Sequence, residues 1–149
     1  MTKILFICHG NICRSPAAEM VMRTLTHDCV IESAATTYEE IGNGIYPPMR
    51  RVLERRGIPV LPHRARRTDR SDYDKYDYII GMDEENRYDL EHIYCGDPQG
   101  KISLLMEWAG ERREVSDPWY TRDFEKALDD IERGCRALAD KLQLSDRRS

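Results

Sequence analysis

Ile4-Leu5-Phe6-Ile7-Cys8-His9-Gly10-Asn11-Ile12-Cys13-Arg14-Ser15-Pro16 is the stretch on which the reading of this 149-residue chain turns. Its first five residues are an unbroken apolar run, the pattern of a strand buried on both faces. Beyond Cys8, Gly10 and Asn11 suit a turning loop, and Asn11 tolerates a left-handed backbone from which its amide can tie the loop together. Pro16 and the alanine-rich run to Leu25 read as a helix, with Ser15 as N-cap and Pro16 in the first turn, where a missing N–H costs nothing. A loop leaving a strand and entering a helix N-terminus aims several backbone N–H groups at one point, and the helix dipole adds positive potential there. Such a loop holds an anion. Arg14, six residues after Cys8, contributes a planar guanidinium fork that matches two oxyanion oxygens at once. The same electropositive cradle stabilises a thiolate, the nucleophilic form of cysteine.

Outward from this segment, short apolar runs alternate with amphipathic stretches. Residues 29–33 read as a second strand. Pro47-Pro48 opens a helix carrying Met49, Val52 and Leu53, which Gly57 and Pro59 end. Residues 76–81 read as a strand, and Asp83 caps a helix over 84–92. Residues 101–105 suit a short strand or the start of a helical turn. In the last helix Phe124, Leu128, Ile131, Cys135, Leu138 and Leu142 recur at spacings of four and three, a core stripe. The order βαβαβαβα predicts a single α/β domain with a mainly parallel sheet of about four strands, helices on both faces, and a ligand site outside the carboxyl ends of the strands.

Composition narrows the function classes. Lys and Arg total 23 against 27 Asp and Glu, a formal net charge of −4, so general binding of nucleic acid is not favoured and any anion site must be local. No apolar run approaches the roughly 20 residues that span a bilayer, and residues 1–8 lack the pattern of a secretory segment. The expectation is a soluble cytoplasmic protein without membrane attachment. Five cysteines, an odd number without a C-x-x-C pair, argue against a disulfide framework or zinc ribbon. Cys29 and Cys135 read as core and Cys95 has no assigned role. The basic run Arg64, Arg66, Arg67, Arg70 reads as a solvated face.

The segment from Cys8 to Pro16 resembles the signature of the low-molecular-weight protein tyrosine phosphatases, including the second cysteine just before the arginine. Asp117-Pro118-Trp119-Tyr120, shortly before the last helix, resembles the family's Asp-Pro-aromatic-aromatic segment, and residues 76–83 and His63-Arg64-Ala65-Arg66 resemble further family segments. The likeness covers nearly all of residues 1–149, read as one such domain. It implies hydrolysis of phosphotyrosine and small aryl phosphates through a phosphocysteine. Cys8 would be the nucleophile, and Arg14 with the backbone N–H groups of His9, Gly10, Asn11, Ile12, Cys13 and Arg14 would hold the phosphoryl oxygens. Asp117 would act as general acid and then as base. Ser15 would hydrogen-bond the Cys8 sulfur and ease its departure, and His63 would brace Asn11. Trp119 and Tyr120 would wall the substrate ring on one side. The opposite wall falls to Tyr38, or to Glu39 with a more open and acidic pocket. Cys13 would trap oxidised Cys8 as a disulfide.

The implied partners are a phosphotyrosine-containing protein or peptide and inorganic phosphate as product, acted on by a monomer with no cofactor and no metal. Two rivals remain. Arsenate reduction on a related fold needs further relay cysteines near residues 82–90, where this chain has none before Cys95. A non-catalytic phosphotyrosine or anion-binding module would keep the loop but lack the nucleophile or the acid.

Overall fold

A computed structural model describes residues 1–144. Four parallel strands, β1 (Thr2–Cys8), β2 (Cys29–Ala35), β3 (Tyr78–Gly81) and β4 (Ile102–Leu104), lie in the order β2-β1-β3-β4. The register pairs Cys8 with Ala35, Phe6 with Ile80, and Gly81 with Leu104. Among the described residues there are seven helices: α1 (Arg14–Leu25), α2 (Pro47–Arg55), α3 (Arg70–Lys75), α4 (Glu84–Ile93), α5 (Leu105–Trp108), α6 (Pro118–Thr121) and α7 (Phe124–Lys141).

Strand β1 is apolar throughout because both of its faces are buried. Ile4, Phe6 and Cys8 point into a core shared with α1, α2, α5 and α7, whereas Leu5 and Ile7 point into a second core with Tyr73, Tyr76, Leu90 and Tyr94. The α7 stripe is buried from Phe124 to Leu138. Gly134 lets α7 approach α5, since a Cβ there would sit 2.5 Å from Leu105 Cγ. Because the chain leaves β1 for β2 on one side and returns to β3 on the other, the carboxyl end of β1 is the switch point of the sheet.

Several boundaries differ from the sequence reading. Helix α1 starts at Arg14 with Cys13 as its N-cap residue, and the Ser15 hydroxyl makes no cap. It is taken by the Cys8 sulfur and Asn11 instead. Strand β3 begins at Tyr78, because Tyr76 closes the short helix α3 and turns its ring into the core. A reciprocal capping box between Asp69 and Asp72 creates α3, a helix too short for periodicity to reveal. The segment 101–105 is both of its alternatives in turn, strand β4 and then the first residue of α5. Cys29 is only half-buried, at the open start of β2, while Cys135 is fully buried.

Candidate active site

At the carboxyl end of β1 the chain forms a tight loop whose shape depends on Asn11. That residue takes φ 58°, and it is fully buried. Its Nδ2 donates to Ser15 Oγ (2.8 Å) and Ser33 Oγ (3.0 Å), and its Oδ1 accepts from the Arg66 backbone N–H (3.2 Å). His63 Nε2 donates to the Asn11 carbonyl at 2.7 Å. The Tyr46 N–H donates to the Ile12 carbonyl at 2.7 Å, tying the loop to the start of α2. With its carbonyl and amide so occupied, Asn11 lies behind the loop and leaves the front open.

The front faces a cavity of about 140 Å³. Cys8 lies in it, 3% exposed, with its sulfur 3.0 Å from Ser15 Oγ and 3.4 Å from the Ser15 backbone N–H, which donates to it. His9, Gly10, Ile12, Cys13 and Arg14 line the cavity around it. The Arg14 guanidinium is buried and held by Nη1 donating to Asp83 Oδ2 (2.9 Å) and to the Val115 carbonyl (2.8 Å), with Nη2 3.5 Å from Asp117 Oδ2. Burial opposes its charge, but the surrounding Cys8, Asp83 and Asp117 outweigh that and hold its pKa above the ordinary value. For Cys13 burial comes first and the Cys8 charge second, and both push the thiol well up.

Asp117 enters from the opposite rim as N-cap of α6, where its Oδ1 accepts the Trp119 N–H at 3.0 Å. Pro118 is buried and sets the helix start. Trp119 and Tyr120 line the cavity and are 52% and 82% exposed, so both rings are open to an incoming group. Tyr46, whose ring centroid is 5.2 Å from that of Trp119, backs this wall.

On the facing side Glu39 and Glu40 line the cavity. Of the two alternatives for the second wall, Glu39 is among the lining residues and Tyr38 is not. Its ring instead stacks under the Arg67 guanidinium at 4.7 Å, and Arg67 is tethered to the Thr36 carbonyl. The cation–π contact draws the ring away and leaves the mouth acidic. His9 sits on that rim, with Nε2 2.6 Å from Glu39 and Nδ1 3.6 Å from Glu85. Ser15, Asn11 and His63 are likewise outside the lining and act from behind the loop. The basic run is not simply solvated, since Arg66 pairs with the buried Asp72. Among the described residues no group of three or more His, Cys, Asp or Glu side chains is gathered to hold a metal ion.

Sequence reasoning treated Asp83 only as a helix cap and missed its second oxygen on Arg14. Its position directly after the β3 segment, at the carboxyl edge of the sheet, was the available signal. Glu40 and Tyr46 had no comparable mark.

The model of the family described as low molecular weight phosphotyrosine protein phosphatase matches residues 3–148. A human low molecular weight phosphotyrosine protein phosphatase is 40% identical over 93% of this chain and 94% of its own length. The crystal structure of SP-PTP, a low molecular weight protein tyrosine phosphatase from Streptococcus pyogenes, superposes with a TM-score of 0.88 at 36% identity, covering 95% of this chain and 93% of that one. Wzb of Vibrio vulnificus, in complex with benzylphosphonate, superposes with a TM-score of 0.86 at 28% identity over 94% and 98% of the two chains.

Proposed function

Because this chain belongs to the low molecular weight phosphotyrosine protein phosphatase family, we propose that it hydrolyses phosphotyrosine in proteins or peptides through a phosphocysteine on Cys8. The observation that carries the reading is the single cavity in which Cys8, Arg14, Asp117 and the Trp119–Tyr120 wall meet.

The Cys8 thiolate attacks phosphorus in line while Arg14 and the loop N–H groups of residues 9–14 hold the equatorial oxygens, whose charge must be stabilised through the transition state. The aryl oxygen leaves with a proton from Asp117. Ionised by that step, Asp117 then takes a proton from water as the water oxygen bonds to phosphorus. The S–P electron pair returns to Cys8, where the Ser15 hydroxyl at 3.0 Å receives it as a hydrogen-bond donor. Phosphate is the product. Trp119 and Tyr120 stack on the substrate ring, and binding of benzylphosphonate by Wzb supports an aromatic occupant. In this reading Glu39 and Glu40, which line the cavity, form the second wall in place of Tyr38.

Cys13, which lines the same cavity, would close a disulfide on an oxidised Cys8 by displacing water from the sulfenic acid. The five free thiols fit a reducing cytoplasm, and among the described residues no helix is long and apolar enough to cross a membrane. We take the acting form to be a monomer without cofactor or metal. Residues 82–90, where an arsenate relay would need its further cysteines, hold none, and Cys95, just beyond α4, is exposed and does not line the cavity.

The test is turnover of a phosphotyrosine peptide and of para-nitrophenyl phosphate in the presence of EDTA, set against thiol-coupled arsenate reduction by the same preparation. Phosphatase turnover that disappears in Cys8→Ser is expected. Equal activity in that variant, or arsenate reduction without phosphatase activity, would overturn the reading.

A further inference from the structure

The loop behind Cys8 contains a chain of hydrogen bonds whose direction is set at its far end. When Cys8 is ionised its sulfur can only accept, so the Ser15 hydroxyl must be the donor of their 3.0 Å contact. That leaves Ser15 Oγ to accept, and it accepts from Asn11 Nδ2. The other Nδ2 hydrogen goes to Ser33 Oγ, which in turn donates to Glu19 Oε1 at 2.6 Å. Cys8, Asn11, Ser15 and Ser33 are all buried, so solvent does not compete for these four. The arrangement depends on which end of the Asn11 amide faces Ser15. Were the amide turned round, its oxygen would take the Ser15 proton and the Cys8 sulfur would lose its hydroxyl donor, keeping only the Ser15 backbone N–H.

A backbone N–H can only donate, so the Arg66 N–H at 3.2 Å compels Oδ1 to face it and Nδ2 to face Ser15. Arg66 is held for this duty on both sides. Its carbonyl accepts from the Ala35 N–H (2.7 Å), and the Thr68 N–H donates to the Ala35 carbonyl (2.8 Å), so the segment rides on the end of β2. Its guanidinium is clamped by Asp72, 5% exposed, through Nη1 at 3.0 Å and Nη2 at 3.4 Å. Thr68 Oγ1 donates to the same carboxylate at 2.6 Å, and Tyr76 Oη lies 3.3 Å from Arg66 Nη2. An exposed arginine would need none of this. With the Asp69 N–H of the capping box, four donors meet this buried carboxylate, a costly feature to keep unless the pair fixes something.

We infer that Arg66 and Asp72 are positioning residues for the reaction at Cys8: their ion pair fixes the backbone N–H that orients Asn11, and through Asn11 the Ser15 proton that receives the departing sulfur. The inference rests on the phosphatase reading above. It predicts that disturbing the pair slows the breakdown of phosphocysteine while leaving the phosphate cradle intact, because the cradle is made by the loop and Arg14 rather than by Arg66.

The experiment is a double-mutant cycle on para-nitrophenyl phosphate with Arg66→Met and Ser15→Ala, repeated with Asp72→Asn in place of Arg66→Met. Arg66→Met should lower kcat by about 10-fold, less than the about 100-fold that a full 1 Å displacement can cause, with inhibition by inorganic phosphate altered less than about 2-fold and a pre-steady-state burst of nitrophenol enlarged. In the Ser15→Ala background the same change should do almost nothing further, since the end of the chain is gone. Losses that multiply in the double variant, or a fall in kcat matched by equal weakening of phosphate inhibition, would overturn the positioning role. Arg66→Met lies at a half-exposed side chain, and agreement with Asp72→Asn distinguishes a lost pair from a misfolded variant. An inactive parent would sink the phosphatase reading itself, whereas an active parent with multiplicative losses would sink only this inference.

Discussion

Replacing Asn11 separates two effects that the loop combines. Asn11→Gly and Asn11→Ala both remove the three side-chain hydrogen bonds, to Ser15, Ser33 and the Arg66 N–H. At about 1 kcal/mol for each bond whose partner is left stranded in a buried site, either change costs about 3 kcal/mol. The backbone then divides them, because φ at this position is 58°. Alanine there carries about 1–2 kcal/mol of left-handed strain, which the smaller entropy of its unfolded chain offsets by about 0.5–1 kcal/mol. Glycine should therefore come out ahead by roughly 1 kcal/mol, the difference of those two terms. For a chain of this size each kcal/mol moves the melting temperature by about 3 °C, so Asn11→Gly should melt about 9 °C below the parent and Asn11→Ala about 12 °C below. Calorimetry at neutral pH reads both, and kcat should fall in the two variants alike. A Gly variant within about 2 °C of the parent would refute the hydrogen-bond argument. An Ala variant melting at or above the Gly variant would refute the strain argument.

Asp117→Asn should slow hydrolysis of phenyl phosphate by about 100-fold or more, because a phenolate leaves poorly without a proton. Para-nitrophenyl phosphate should lose much less, and equal losses on both substrates would remove Asp117 from the acid role. Gly134→Ala sets a helix-propensity gain of about 1 kcal/mol against overpacking of about 1–3 kcal/mol, and the 2.5 Å approach to Leu105 Cγ places the site at the costly end. The melting temperature should drop by about 3–6 °C; an unchanged or higher value would show that α5 yields freely. Burial pushes the Tyr76 and Tyr94 phenols and the Cys135 thiol above their ordinary values, so the unfolded chain loses these protons first as pH rises. Their stabilising contribution is complete below the ordinary thiol and phenol values of about 8.5 and 10 and fades above them. The melting temperature should fall steeply between pH about 9 and 11, and Tyr94→Phe should flatten that slope; an unchanged slope would exclude Tyr94 as a source. Finally, peroxide inactivation should be reversed by dithiothreitol in the parent and poorly in Cys13→Ala; equal recovery would exclude the protective disulfide.

Much of the fold was legible because it follows from local rules. The apolar run of β1, the Pro-opened α2 and the α7 stripe each announce themselves within their own residues, and the parallel sheet follows from their alternation. The short helices α3, α5 and α6 did not, since helices of four to six residues carry too few positions for a period to show. The site divides in the same way. Cys8, Arg14 and the left-handed Asn11 sit within one loop, so their spacing already constrains their geometry. From its neighbours alone Ser15 reads as a cap, the commonest local use of a serine before proline, and its link to Cys8 comes only with the family resemblance. Its actual partners are set by Asn11 and Cys8, which the turn folds back onto it. The choice between Tyr38 and Glu39 stays open in the sequence for a related reason: no local signal says that Arg67, 29 positions after Tyr38, will hold its ring.

By itself the sequence determined the anion loop, its nucleophile candidate and the layer architecture, because short-range backbone sterics, capping and hydrophobic period are properties of neighbouring residues. Only the tertiary structure decided which carboxylates meet Arg14, that Glu39 and Glu40 rather than Tyr38 face the cavity, and that Arg66 and Asp72 stand behind Asn11. Those contacts join residues between 6 and 103 positions apart. Packing the strands side by side brings such residues into contact, and their separation along the chain carries no record of that meeting.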